Sequence, residues 1–313
     1  MTECERIIKD GILPESFFEE EVLCEFTVTR ERKKIWAIGL DMLVKFDEVC
    51  RTHNLKYSLG GGSLLGCIRH KGFIPWDDDI DIFMSRSDYE ELKEFRSEFE
   101  MPYYLQYPGD EGYYFSFAKI RNSNTTAISW PFRYESFNQG MFLDIFPLDN
   151  VKIDDIQNNV QKINKLIAEC SALMRRSNPF PDETDLKKLS LFPERREGDV
   201  ILKELDCILR QYEKEETDYY ALWCCAVYDI HRLTYPKILF DDLVKTNLYG
   251  YDFYIPRNYD EVLKITYGDY MKFPPVEQRG TWHNKSFFNP DVPYKDSLIQ
   301  LRGQDMAQNI EKK

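Results

Sequence analysis

The sequence predicts an α+β fold: a mixed sheet flanked by helices, with an appended helical region. Three patterns carry that prediction. Helical and strand periodicities interleave through the first half, helical spacing dominates from Asp154 to Tyr212, and one further strand and helix precede the tail. The 313 residues, 43% hydrophobic and 30% charged, suffice to bury a full core without staples. The expected organisation is a core over residues 1–150, a mainly helical acceptor or buttressing region over 151–250, and a strand, helix and irregular tail over 251–313 that packs back on the core.

Taken in order, residues 32–53 place Ile35, Ile38, Met42, Phe46, Val49 and Cys50 at three- and four-residue spacing, with charges between them, which predicts an amphipathic helix. Lys56 to Leu59 alternates as a short strand, Gly60, Gly61 and Gly62 form a turn, and Ser63 is placed as the N-cap of a helix running to Arg69. Asp79 to Met84 alternates as a strand, and Ser87 to Glu90 reads as a capping box opening a helix to about Phe99. Strands are expected at Tyr114 to Ile120 and Met141 to Phe146. Helices are expected at Asp154 to Arg176 and Val200 to Tyr212, then a strand at Tyr251 to Ile255 and a helix at Tyr259 to Tyr267. Prolines at 274, 275 and 290 signal an irregular tail.

Composition excludes several classes. Forty-one basic residues against 54 acidic ones give a formal charge of -13, which repels polyphosphate and argues against nucleic acid as a partner. Eight cysteines without a C-x-x-C pair suggest neither a zinc ribbon nor a disulfide framework. The longest uncharged apolar stretch, Tyr219 to Tyr228, is short for a membrane span. The expected setting is therefore cytoplasmic, with at most peripheral contact at the inner membrane face.

The densest chemical signal is Gly60 to Phe83. In an extended segment the two-residue period aims the carboxylates of Asp79 and Asp81 the same way, and Asp77 joins them if the extension starts one pair earlier. Carboxylates about 4 Å apart repel by roughly 4 kcal/mol at an effective dielectric near 20, a cost a divalent cation removes. Oxygen-only ligands favour magnesium, or manganese, over zinc. A solvated acidic loop is the competing reading. Gly61, Gly62 and Ser63 lie at a strand-to-helix junction whose N–H groups suit phosphate oxygens. Asp144 sits inside an apolar strand, where a carboxylate is costly unless it is paired or holds a metal. Arg69, His70 and Lys71 after the short helix, and Lys119 and Arg121 on one strand face, are candidate diphosphate ligands. Ordinary surface charge is the alternative for each. His53 reads as a helix-dipole partner, His231 and His283 have no metal spacing, and Trp282-His283 sits in the tail.

The order Gly62-Ser63, Asp79-Ile80-Asp81, Leu143-Asp144-Ile145 resembles the nucleotidyltransferase superfamily. The wider run from Tyr57 to Met84, the segment Lys119 to Thr125, Met141 to Asp149, Ile255-Pro256 and Tyr267-Gly268-Asp269-Tyr270 resemble the LicD family. That resemblance implies a nucleotidyltransferase-like sheet and transfer of a phospho-alcohol, phosphocholine or ribitol phosphate, from a cytidine-diphosphate alcohol to a glycan or lipid-linked glycan hydroxyl, with CMP leaving. Lipopolysaccharide and teichoic acid are acceptors of the family's bacterial phosphocholine transferases. It implies Asp79, Asp81 and Asp144 as catalytic magnesium ligands, with Asp77 as a fourth. Asp144 is also a candidate to draw the proton off the acceptor. A choline donor calls for an aromatic cage, for which Trp76, Trp130, Phe132 and Tyr134 are candidates; core or turn roles are the alternative. Nucleotidyl transfer from a nucleoside triphosphate and a non-catalytic scaffold are the competing functions.

Overall fold

The computed structural model describes residues 1–225, 229–280 and 286–310. The Trp282-His283 pair and the end of the apolar stretch at Tyr228 lie outside the described residues. The chain opens with α1 (Glu3–Lys9) and a hairpin of β1 (Glu21–Leu23) and β2 (Phe26–Val28). It continues into the long α2 (Arg30–His53), capped by the Thr29 side chain and stopped by Asn54 in the left-handed region. The apolar stripe read from the sequence becomes its buried face, with Trp36, Ile38, Leu40, Met42, Phe46 and Cys50 inside the main core.

Then come β3 (Ser58–Leu59), α3 (Gly61–Leu65), one π turn (Gly66–His70), β4 (Asp81–Ser85), α4 (Arg86–Glu91), β5 (Tyr103–Gln106), β6 (Ala118–Asn122), β7 (Thr126–Ser129) and β8 (Met141–Val151). Beyond them lie α5 (Ile156–Arg175), α6 (Glu183–Ser190), α7 (Gly198–Leu209), β9 (Tyr219–Ala221), β10 (Thr234–Pro236), β11 (Leu243–Leu248), β12 (Tyr251–Pro256), α8 (Tyr259–Tyr267), β13 (Ser286–Asn289) and α9 (Tyr294–Ile310). The main sheet runs β10-β9-β8-β4-β3, with β6 on the same edge of β8 as β9 and β5 outside β6. Its one parallel pair, β4 with β8, sits among antiparallel neighbours, so the sheet is mixed and the fold is α+β.

Four local expectations are corrected. Ser63 is not the N-cap of its helix: Gly60 caps it and Ser63 lies one turn inside. The strand expected from Tyr114 begins at Ala118, because the preceding aromatics turn into a separate small cluster of Tyr113, Phe132, Phe137 and Met174. The strand expected from Asp79 is paired only from Asp81. The tail is less irregular than its prolines suggest. Its β13 pairs with β7, and α9 brings Tyr294, Leu298 and Leu301 at helical spacing onto Ile128. Residues 219–236 add two strands to the main sheet beyond the helices read there. All eight cysteines are free thiols. Among the described residues no helix is long and apolar enough to cross a membrane.

Candidate active site

The site is assembled on one rung of the sheet. Asp81, first residue of β4, is the register partner of Asp144 on β8, and Asp144 is in turn the partner of Lys119 on β6. Register partners project to the same face, so two acids and a lysine from three strands meet. Asp79, one pair ahead of Asp81, completes the group. Carboxylate oxygens of Asp79, Asp81 and Asp144 all lie within 4.8 Å of one another, and those of Asp77, Asp78 and Asp79 form a second such group that shares Asp79.

The acidic loop is held by α2. Arg32 Nη1 and Trp36 Nε1 donate to the Asp77 carbonyl at 2.8 and 2.9 Å, fixing where Asp77 to Asp79 enter the site. From the other side the glycine junction closes on Asp81. Its Oδ2 accepts the Gly62 N–H at 3.1 Å, and its own N–H donates to Ser63 Oγ at 2.8 Å. A Cβ at Gly61, whose φ is +44°, would stand 2.4 Å from Asp81 Oδ2, and one at Gly62 would stand 2.7 Å from Asp77 Oδ2. The glycines are required there because carboxylates occupy the space of a side chain.

Burial raises the pKa of Asp81, and the neighbouring Asp79 and Asp144 raise it further. Asp77 is raised by burial first, then by Asp79 and Asp81. The acids thus stand close enough to raise one another's pKa values. Lys119 is the one cation that an ion pair among the described residues places on the cluster; it pairs with Asp144 Oδ1, and burial lowers its own pKa. A set of close, buried to half-buried, all-oxygen ligands, two of which, Asp77 and Asp81, have raised pKa values, fits a magnesium or manganese ion and fits zinc poorly.

Other residues singled out in the sequence lie elsewhere. Arg121 is buried and donates to Gln106 Oε1 at 3.1 Å and to the Gly140 carbonyl at 3.0 Å, which commits it to holding β5 and the approach to β8. Arg69 donates to the Tyr270 carbonyl at 2.7 Å and ties the segment after α8 to the π turn. His70 stacks on Phe273 and meets the edge of Trp76; burial, then Arg69 and Arg279, push its pKa down to about 4. Lys71 ends the π turn with φ +56° and is exposed. Trp76 is 7% exposed, and Arg279 lies 5.1 Å from its ring centre, so a guanidinium of this chain already takes the cation position there. Trp130, Phe132 and Tyr134 belong to the β7–β8 connection. Phe132 is in the small separate cluster, Arg133 covers Trp130, and the Tyr134 hydroxyl donates to Asp305. His53 contacts Glu98 and His231 contacts Gln157, away from the acids.

Two features escaped the sequence reading. Asp149 is fully buried and held by Arg86 at 2.6 and 2.9 Å and by Trp223 at 3.1 Å, a structural ion pair on the same strand as Asp144. Tyr267 had been noted only as part of a motif, yet it borders the acids, whose charges together with burial raise its pKa.

With this geometry in view, comparison with known proteins is decisive. Residues 54–170 match the family described as LicD/FKTN/FKRP, nucleotidyltransferase domain, a span that contains all four acids and the glycine junction. The chain is 30% identical over 261 residues, 79% of its length and 93% of the relative's, to the lipopolysaccharide cholinephosphotransferase LicD of Haemophilus influenzae (strain ATCC 51907 / DSM 11121 / KW20 / Rd). This chain belongs to the LicD family. Shorter matches tie it to uncharacterized proteins of Rickettsia prowazekii (strain Madrid E), 40% identical over 20% of this chain and 24% of the relative, and of Rickettsia typhi (strain ATCC VR-144 / Wilmington), 43% identical over 17% of each. In LicD terms, the Asp79-Asp81-Asp144 group and its glycine junction lie inside the matched domain, whereas Tyr267 and Arg279 are supplied from beyond it.

Proposed function

We propose that this chain is a LicD-type phosphotransferase that moves phosphocholine from CDP-choline to a hydroxyl of a cell-surface glycan and releases CMP. The observation that carries the reading is the three-carboxylate cluster beside a glycine junction, in a chain similar along most of its length to a lipopolysaccharide cholinephosphotransferase. Asp79, Asp81 and Asp144, with Asp77 beside them, would hold one or two magnesium ions. When bound, magnesium neutralises charge on the diphosphate and on departing CMP.

The protein's own residues do the rest. Gly61 and Gly62 leave room for the Asp81 and Asp77 carboxylates to lie against the junction, and Ser63 holds the first residue of β4 so that Asp81 faces it. Lys119 engages one oxygen of Asp144, leaving the other to receive the proton of the acceptor hydroxyl. The new P–O bond forms from that hydroxyl oxygen, and the bond between the choline phosphate and CMP breaks, with the electron pair leaving on CMP. Trp76 is not assigned to a choline cage, because Arg279 covers it.

The test is product analysis. Purified chain, CDP-choline, magnesium and a glycan acceptor should yield CMP and a phosphocholine-bearing glycan, and Asp81→Asn should yield neither. Pyrophosphate release from CTP without CMP would move the assignment to nucleotidyl transfer. Absence of both products, in a chain that binds the nucleotide, would make it a scaffold.

A further inference from the structure

We propose that Tyr267 is a substrate-binding residue whose hydroxyl donates a hydrogen bond to a non-bridging oxygen of the bound nucleoside diphosphate. The inference deepens the function proposed above and rests on it for the identity of the donor.

Tyr267 is the last residue of α8, which packs against α3, the short helix that starts at Gly61. Both flanks of the residue are anchored. Immediately before it, Thr266 Oγ1 lies 2.8 Å from the hydroxyl of Tyr235, whose ring packs near Phe83 on β4. Three residues after it, the Tyr270 carbonyl accepts from Arg69, and Tyr270 donates back to Asp260 at the start of α8. The chain between these anchors turns through Gly268, φ +69°, so the phenol is delivered to a fixed place.

Tyr267 is 40% exposed, yet it is surrounded closely enough for burial to be the leading cause of its raised pKa. The charged and titratable groups whose fields it feels are Asp81, Tyr235, Asp77, Asp79 and Arg69. Its hydroxyl has no hydrogen-bond partner among the described residues, whereas those of Tyr57, Tyr103, Tyr107, Tyr113 and Tyr235 have one; the Tyr89 hydroxyl also lacks one, but it is sealed in the core and out of a ligand's reach. Phenols that go without a protein partner at the mouth of a charged site are available to a ligand.

The chemistry selects the ligand atom. A phenol is protonated at neutral pH and carries one O–H donor. None of the three neighbouring carboxylates accepts its proton in this structure, so the donor is left for a group brought in from outside, and the group that a metal on those carboxylates would bring is a diphosphate. A proton-accepting role for Tyr267 does not suit such surroundings, since an adjacent phenolate would be repelled by the acids.

The test compares wild type with Tyr267→Phe and Tyr267→Ala in the full chain. Affinity for CDP-choline with magnesium is read by calorimetry, alongside kcat/KM for CMP release and the melting temperature. Because the hydroxyl has no protein partner, Tyr267→Phe should melt with wild type. A hydrogen bond to a charged oxygen corresponds to roughly tenfold to hundredfold in affinity, and the same loss is expected in kcat/KM. Affinity and kcat/KM within twofold of wild type would overturn the proposal. So would a neutral Tyr267→Phe with a deleterious Tyr267→Ala, which would assign the ring rather than the hydroxyl. If wild type neither binds CDP-choline nor releases CMP, the proposed function fails first. The same titration with CTP and magnesium then reads the contact by itself: a tenfold loss in Tyr267→Phe sustains it, and equal affinity or no wild-type binding overturns it.

Discussion

Replacing Asp81 with asparagine should stabilise the metal-free protein while removing its response to magnesium. The side chain of Asp81 accepts one N–H, from Gly62, and an asparagine carbonyl accepts the same bond. What the substitution removes is charge. Carboxylate oxygens within 4.8 Å repel by about 3.5 kcal/mol at an effective dielectric of 20, and Asp79 and Asp144 both stand within that distance. Lys119 offsets part of this through Asp144, and partial protonation relieves more, since burial and Asp79 already raise the pKa of Asp81. A net gain of about 1–2 kcal/mol remains, which for a chain of this size corresponds to a rise of about 2–5 °C in melting temperature. The assay is thermal unfolding of wild type and Asp81→Asn in EDTA and in magnesium. Wild type should rise with magnesium by mass action and the variant should not. A variant that melts below wild type in EDTA, or that keeps the magnesium response, would refute the reading of the carboxylate cluster as a cation site.

Other outcomes follow from the same geometry. Gly61→Ala places a Cβ 2.4 Å from Asp81 Oδ2 at a φ of +44°, costing about 1–2 kcal/mol in backbone strain, and should lower kcat/KM at least a hundredfold with a modest fall in urea midpoint. Lys119→Met strands the buried Asp144 carboxylate and should cost about 3–5 kcal/mol in denaturant unfolding; adding Asp144→Leu should restore most of that stability but no activity. His70, with its pKa pushed down from 6.5 to about 4, stays neutral in the folded chain while the unfolded chain protonates. Stability should therefore fall as pH drops from about 6.5 toward 4, and His70→Phe should flatten that part of the melting-temperature profile.

The local half of the site was legible because it obeys a local rule. A two-residue period puts Asp79 and Asp81 on one side whether or not Asp79 is hydrogen-bonded into the sheet, so the late start of β4 did no harm to that expectation. The glycine cluster was equally readable, though the structure gives its flexibility a sharper reason: carboxylates of Asp77 and Asp81 lie where Cβ atoms would be. Partners across the sheet were not readable. Lys119 and Arg121 alternate onto one face, but only the β6–β8 register sends Lys119 to Asp144, while Arg121 turns to Gln106 and Gly140. Trp76 reads from the sequence as a candidate for an aromatic cage, with a core role as the alternative, and the structure buries it. That Arg279 covers it depends on a segment some two hundred residues away in sequence, which no local pattern records.

The rung also makes the chemistry an all-or-none property of folding. Asp144 reaches Asp81 only if β8 lies beside β4 in one register, and a shift of one residue would turn Asp144 to the opposite face and bring Leu143 or Ile145 into its place. A chain that closed its core with β8 misaligned would hold a sheet but no cation site. On the function proposed above, cation binding would double as a proofreading signal, favouring the aligned sheet over its near neighbours and deepening the native well where the strand pairing is right.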